Sequence, residues 1–136
     1  MSSSFAARLG TAYAAGTIGA LANSIAVWGF GALGITASLG VKIAPKLTPM
    51  FLYPRLVWGG IWGLLFLLPI LRNKGFWRGL LLSLGPTLVM LLVVFPAEGA
   101  GQFGLAKGPL TPAFVVFFNA VWGWAAVVWL KIVGER

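Results

Sequence analysis

The sequence predicts an all-α integral membrane protein, folded as a bundle of four transmembrane helices. Of its 136 residues, 60% are hydrophobic and only 9% are charged, whereas a soluble domain carries about 25% charged residues. The apolar residues form runs about as long as a bilayer is thick, and short basic segments separate these runs. A motif that occurs twice adds a possible internal duplication of a two-helix unit.

The motif spans residues 47–60 and returns, in part, at residues 110–123. Leu-Thr-Pro opens both copies, Val-Trp-Gly follows in both, and each copy comes after a basic segment rich in Gly or Pro. Threonine followed by proline is typical of a helix start, because the hydroxyl caps a free backbone N–H and proline at the first position has none to satisfy. Chance recurrence of common membrane residues is the alternative explanation.

The first predicted helix covers residues 9–39, which contain no charge. Small residues recur every four positions along it and form a stripe on one face. Small side chains let two membrane helices approach closely and gain dispersion contacts that lipid tails cannot match. We therefore expect this small-residue stripe to serve helix packing within the protein or contact between subunits; it consists of Ala12, Gly16, Ala20 and Ser24.

The other predicted helices cover residues 49–71, 76–95 and 111–133, within a single transmembrane domain of residues 1–136. The second helix would start near Tyr53 instead if Pro54 were its first residue. Pro86 lies in the middle of the third helix and is expected to kink it, since proline removes one backbone hydrogen bond. The Gly-rich connection 96–109 is expected to be a flexible loop or a segment that re-enters the membrane.

The distribution of basic residues predicts the orientation, because cytoplasmic ends of membrane helices are enriched in Lys and Arg. With four helices, one side would hold Arg8, Arg72, Lys74, Arg78, Lys131 and Arg136. The other side would hold Lys42, Lys46 and Lys107, with Arg55 close to the boundary. We therefore expect both termini to be cytoplasmic, in a bacterial inner membrane.

Five polar residues in or near the predicted helices are candidates for lining a cavity or pore. Charge inside a bilayer is costly unless it reaches the interface, pairs, or faces water. Arg55 is thus either an interfacial anchor or an anion-attracting group at a cavity mouth. Asparagine in an apolar run needs a hydrogen-bonding partner on another helix. The candidates are Arg55, Glu98, Asn23, Asn119 and Tyr53.

Missing residue types exclude several classes of function. The chain has no His, Cys or Asp, so the usual zinc, haem and iron–sulfur sites cannot form. The common nucleophile and base pairs of hydrolases are also missing, so we expect no catalytic residues, metal or cofactor. The net charge of +8 is scattered among helix ends rather than clustered, which favours the lipid bilayer over nucleic acid as the partner.

Two classes of function remain for a small polytopic membrane protein. The first is a homo-oligomeric channel or transporter-like protein for a small anionic or lipid-like solute, favoured because duplicated helices are typical of transport scaffolds. The alternative is a non-catalytic accessory or assembly subunit of a larger membrane complex. Such a subunit would need no charge within the membrane.

Overall fold

The first helix begins before the predicted residue 9 and ends before the predicted residue 39. The structure, a computed structural model, describes residues 4 to 134. In it α1 spans Phe5–Ala32, and the Ser4 side chain caps it by accepting from the backbone N–H of Ala7 at 3.1 Å. Gly34, with a φ of 75°, then separates α1 from the short α2, Ile35–Ser38. The expected single helix over 9–39 is therefore two helices, because a left-handed glycine interrupts the run.

The second long helix begins at Pro49 and not at Tyr53. Thr48 has extended backbone angles, and its hydroxyl accepts a hydrogen bond from the N–H of Phe51 at 3.2 Å. This helix, α3, spans Pro49–Gly63, tolerates Pro54 in its second turn, and continues as a 3₁₀ turn over Leu64–Leu67. It ends before residue 71 because Leu68 has extended backbone angles.

The third long helix continues through Pro86 as an α-helix and becomes π-helical after Val89. Helix α4 spans Gly75–Val89 and contains Pro86, a π-helical turn follows over Met90–Val94, and α5 spans Phe95–Ala97. Such single π turns occur mostly within α-helices and are frequent at functional sites.

The Gly-rich connection is folded against the preceding part of the chain. A 3₁₀ segment covers Gln102–Lys107, and the last helix, α6, spans Thr111–Ile132. The Lys107 carbonyl accepts a hydrogen bond from the Lys42 N–H at 2.8 Å. A methyl group at Gly108 would lie 3.2 Å from the Cα atom of Val41. The two basic segments that precede α3 and α6 therefore pack on each other.

Among residues 4 to 134, three helices are long and apolar enough to cross a membrane. They cover Pro49–Leu67, Gly75–Ala97 and Thr111–Ile132, with 19, 23 and 22 residues. Since an α-helix rises about 1.5 Å per residue, each approaches or exceeds the thickness of a bilayer's hydrocarbon core, about 30 Å. The described part of the chain is all-helical, without strands.

The long helices form an arc in the order α3, α1, α6, α4. Helix α1 packs on both α3 and α6, and α6 packs on α4. Contacts between residues early in α1 and late in its neighbours show that α1 runs antiparallel to α3 and α6, and α4 runs antiparallel to α6. Helices α3 and α4 are therefore at the two ends of the arc, with α1 and α6 between them.

The small-residue stripe of α1 packs against α3 of the same chain. A methyl group at Gly16 would lie 2.6 Å from the Cα atom of Gly63, and one at Gly59 would lie 3.1 Å from the Gly16 carbonyl oxygen. Ala12 and Ala20 are buried in this contact. A contact with a second subunit would have to use another surface, because α3 already covers the stripe.

A second close crossing joins α4 to α6. The backbones of Gly79 and Gly123 meet there, and a methyl group at Gly79 would lie 2.9 Å from the carbonyl carbon of Gly123. The neighbouring Trp122 is buried and donates from Nε1 to the Gly16 carbonyl oxygen at 3.0 Å, which ties α6 to α1. No hydrophobic driving force acts between helices within a membrane, so close packing must supply the attraction. Glycine at each crossing allows the backbones to pack that closely.

The charged residues divide between the two ends of the bundle. At the end where α1 begins and α6 finishes lie Arg8, Arg72, Lys74, Arg78 and Lys131; Arg136 lies outside the described residues. At the other end, which we call the Lys42 end, lie Lys42, Lys46, Glu98 and Lys107. Arg78 is buried rather than at the surface, and it donates to the carbonyl oxygen of Phe66 at 2.7 Å.

Removing the hydroxyl group should change the free energy of unfolding differently at the two threonines of the repeated motif. Thr48 caps α3, so Thr48→Ala should lower the free energy of unfolding by about 1 kcal/mol. Thr111 is the first residue of α6, and its buried hydroxyl has no hydrogen-bond partner in the described structure. Thr111→Val should leave stability unchanged or raise it by about 1 kcal/mol, because it removes an unsatisfied polar atom. Unfolding by dodecyl sulfate in mixed micelles measures both; equal losses would contradict the assignment.

Candidate anion-binding cavity

Two adjoining cavities occupy the concave side of the helix arc. The first, of about 520 Å³, contains Trp58, Trp62 and Trp122, and we call it the tryptophan cavity. The second, of about 500 Å³, lies toward the Lys42 end and contains Lys42 and Lys107, and we call it the basic cavity. Six residues line both: Asn23, Arg55, Met90, Val94, Glu98 and Asn119.

Arg55 lies where the two cavities meet. It is in the second turn of α3, roughly 9 Å along the helix axis from Pro49. Its Nε donates to the Ser24 hydroxyl at 3.0 Å, and a second guanidinium nitrogen donates to the Asn23 side-chain oxygen. The guanidinium carbon Cζ lies 4.7 Å from the centre of the Phe51 ring. Both hydrogen-bond acceptors are neutral, and within residues 4 to 134 no carboxylate forms an ion pair with it. The guanidinium is thus held in place by neutral partners, so no counter-charge among the described residues offsets its positive charge.

Asn23 connects three helices at this point. Its oxygen accepts from Arg55 of α3, and its Nδ2 donates to the Phe118 carbonyl oxygen of α6 at 2.7 Å. The residue is only 6% exposed. Asn23 therefore orients Arg55 toward the concave side of the bundle, and both the oxygen and the nitrogen of its own amide are hydrogen-bonded.

Asn119 makes the corresponding link between α6 and α4. Its Nδ2 donates to the Thr87 hydroxyl at 3.0 Å, and that hydroxyl donates to the Ser83 carbonyl oxygen at 2.8 Å. Asn119 is partly exposed to the cavities. Two asparagines on neighbouring helices thus place amide groups along one wall.

The basic cavity is lined by three cationic side chains, with Arg55 at its inner end and Lys42 and Lys107 at its mouth, and by one carboxylate. Lys42 and Lys107 come from the two packed loops, and the Lys107 ammonium lies 6.0 Å from the centre of the Phe95 ring. Glu98, just after α5, is exposed at this mouth and is not ion-paired with Arg55. The balance of charge among these four groups favours an anion.

Four of the five sequence-predicted polar candidates meet in these cavities, and Tyr53 does not. Arg55, Glu98, Asn23 and Asn119 line both cavities, whereas Tyr53 is 62% exposed and lines neither. It lies two residues before Arg55, which turns its ring to another face of α3.

Sequence reasoning missed several partners of these residues. Ser24 was expected only to pack, yet it is an acceptor for Arg55, and Lys42 and Lys107 were considered only as topology signals. Gly59 and Gly63, which receive the α1 stripe, were also missed. Their four-residue spacing matches that of the stripe and could have identified them as its partner.

The tryptophan cavity opens sideways and closes toward the other end of the bundle. Pro54, Trp58 and Val89 line it and are exposed on the outside, at the gap between α3 and α4. Further along, α3 and α4 converge, since a methyl group at Gly85 would lie 3.0 Å from Leu65 Cδ1 and 3.3 Å from a ring carbon of Trp62. The cavity is therefore a cleft with an open side and a closed end.

Comparison of the chain with protein-family models, with curated proteins and with solved structures finds no match.

Proposed function

We propose that the protein is a non-catalytic membrane protein that binds a small anionic or lipid-like solute in the cleft between α3 and α4 and moves it within or across the membrane. The observation that carries this proposal is Arg55, a cation inside a candidate membrane span. It faces a cavity, and its hydrogen-bond acceptors among the described residues are neutral side chains.

Arg55 has donors left for a ligand. A guanidinium has five N–H groups, and the two hydrogen bonds to Ser24 and Asn23 leave the remaining ones for other acceptors. Planar guanidinium groups bind phosphate and carboxylate oxygens in pairs, and such charge-assisted bonds are about twice as strong as neutral ones. Because a lone charge at this depth is costly, an anion that enters the cavity would offset that cost.

The arrangement in the bilayer that supports this function has four crossings. Helix α1 has 28 residues and packs between α3 and α6, so we infer that it crosses with them. A duplicated unit of two helices is supported by the two glycine crossings, one joining α1 to α3 and one joining α4 to α6. We propose a homo-oligomer in a bacterial inner membrane with both termini cytoplasmic.

The orientation predicts which positions react with an impermeant thiol reagent added outside the cell. Since the chain has no Cys, single cysteines need no background removal. Lys46→Cys and Gly99→Cys should be labelled from outside, whereas Asn73→Cys should react only after the membrane is opened. Labelling of Asn73→Cys in intact cells would contradict the proposed topology.

The transport proposal is tested with purified protein in liposomes. The probes are radiolabelled inorganic phosphate and a fluorescent acyl-labelled phosphatidylglycerol, whose movement between leaflets is followed by dithionite quenching. Wild-type protein should accelerate one of them, and Arg55→Gln should reduce that rate at least about tenfold, because one charge-assisted anion contact is lost. Arg72→Gln, in an exposed turn at the far end, is the matched control and should keep the rate.

An accessory subunit is the alternative, and the same preparation distinguishes it. A defined homo-oligomer that persists after purification and moves a probe supports the transport proposal. A monomer that moves neither probe, and regains a definite size only with co-purifying native subunits, would replace transport with assembly as the function.

A further inference from the structure

We propose that the solute is an anionic phospholipid that enters the cleft from the side, with its phosphate at Arg55 and an acyl chain in the tryptophan cavity. This inference rests on the proposed function and names the class of ligand.

The first support is that the two cavities differ in chemistry and share six lining residues, including Arg55. The basic cavity contributes Lys42 and Lys107, while the tryptophan cavity is lined mainly by apolar groups such as Trp58, Trp62 and Pro86. Arg55 belongs to both. A free anion would use only the basic part, whereas a molecule with a charged head and an apolar tail would use both.

The second support is the position of the opening. Pro54 and Trp58 of α3 and Val89 of α4 are exposed along the cleft, within two of the candidate membrane spans. The open side therefore faces the acyl chains of the bilayer, so a lipid tail can enter without crossing water. Trp58 lies about 14 Å along α3 from Pro49, at the depth of the acyl chains.

The third support is the closed end. Trp62 and Leu65 meet Gly85 there, and buried Trp122 donates its indole hydrogen to a backbone carbonyl. The cleft thus ends within the bundle instead of leading through it. A blind apolar pocket beneath a cationic mouth suits an amphiphile better than an ion in transit.

The test uses photo-crosslinking in nanodiscs of unlabelled phosphatidylcholine. Two probes carry the same diazirine-labelled acyl chain, one on phosphatidylglycerol and one on phosphatidylcholine, and cross-linked residues are mapped by mass spectrometry. Phosphatidylglycerol should label the cleft residues of α3 and α4 about tenfold more than phosphatidylcholine does, and Arg55→Gln should remove the difference.

A matched pair of substitutions tests the position of the tail without touching the headgroup site. Val89→Trp should fill the cleft and lower the labelling by about tenfold. Val93→Trp places the same side chain in the π-helical turn that follows α4, at an exposed residue that lines neither cavity, and it should leave the labelling unchanged. Equal labelling of both variants and wild type would overturn the proposed tail position.

Competition separates failure of this inference from failure of the proposed function. Unlabelled phosphatidylglycerol should compete, and glycerol phosphate, which has the head without the tail, should not. If glycerol phosphate competes equally and Arg55→Gln abolishes the effect, the ligand is a soluble anion, and only the lipid inference is overturned. If the two lipid probes label alike and Arg55→Gln changes nothing, the lipid inference is overturned. The proposed function is overturned as well only if the purified protein also fails to move inorganic phosphate in liposomes.

Discussion

Adding one methyl group at either glycine crossing will destabilise the protein, because the two helix backbones are already in contact there. In Gly16→Ala the new carbon would lie 2.6 Å from the Cα atom of Gly63, and in Gly123→Ala it would lie 2.8 Å from the carbonyl carbon of Gly79. Both obstacles are backbone atoms, which cannot rotate away. The paired helices must therefore separate, and overpacking of this kind costs about 1–3 kcal/mol.

Gly29 provides the matched control, because it lies in α1 with no neighbouring atom within 4 Å of an added methyl group. Gly29→Ala should not lower stability and should raise it by up to about 1 kcal/mol, since alanine favours a helix over glycine. Dodecyl sulfate titration in mixed micelles, followed by tryptophan fluorescence, gives the free energy of unfolding of all three variants. Similar values for Gly123→Ala and Gly29→Ala would show that the α4–α6 crossing is looser than described.

Replacing Asn23 with aspartate will neutralise the anion site while keeping its shape. Asn23 is the neutral acceptor for the Arg55 guanidinium, so a carboxylate there forms an ion pair with it. We expect anion or lipid binding to fall at least about tenfold, because the bound anion would lose most of its attraction to Arg55. Equilibrium binding of the probe that wild-type protein moves measures this loss.

The same substitution has a predictable structural cost, which must be separated from its electrostatic effect. Aspartate cannot donate to the Phe118 carbonyl oxygen as the amide does, and loss of that hydrogen bond costs about 1 kcal/mol. Asn23→Ala loses that hydrogen bond as well but adds no charge, so binding should weaken less than in Asn23→Asp. Asn73→Asp, in an exposed turn, is the charge-matched control. Equal binding by Asn23→Asp and wild type would mean that Arg55 does not attract the ligand.

The sequence predicts the apolar character of the chain and the start of α3 because both depend on local signals. Long apolar runs indicate membrane helices whatever their neighbours are, and the Thr48–Pro49 pair caps α3 through the backbone next to it. The same prediction is wrong for the second copy, because Thr111 lies within α6 and its hydroxyl caps nothing in the described part of the chain. The predicted end of the first helix, at residue 39, was wrong because it depends on contacts beyond the local sequence. The φ of 75° at Gly34 depends on how the following loop packs, and glycine in an apolar run carries no such information by itself.

The candidate site could be predicted only as a set of residues, not as an arrangement. Intramembrane polarity identifies Arg55, Asn23 and Asn119 one at a time, since each is costly in lipid without a partner. Which of them meet depends on the order and direction of the helices around the arc. Ser24 illustrates the limit, because its size suits packing and only its position opposite Arg55 makes it a hydrogen-bond acceptor.

The π-helical turn over Met90–Val94 determines the direction in which the residues after it face around the helix axis. A π turn holds one residue more than the α-helix would at that point, and each residue turns a helix by about 100°. Met90 and Val94 line the cavities from within the turn, and Phe95 and Glu98 reach the basic cavity just beyond it. A chain one residue shorter in this turn would keep its hydrophobicity and its charge, yet the Glu98 carboxylate would be rotated away from the two lysines at the mouth of the basic cavity.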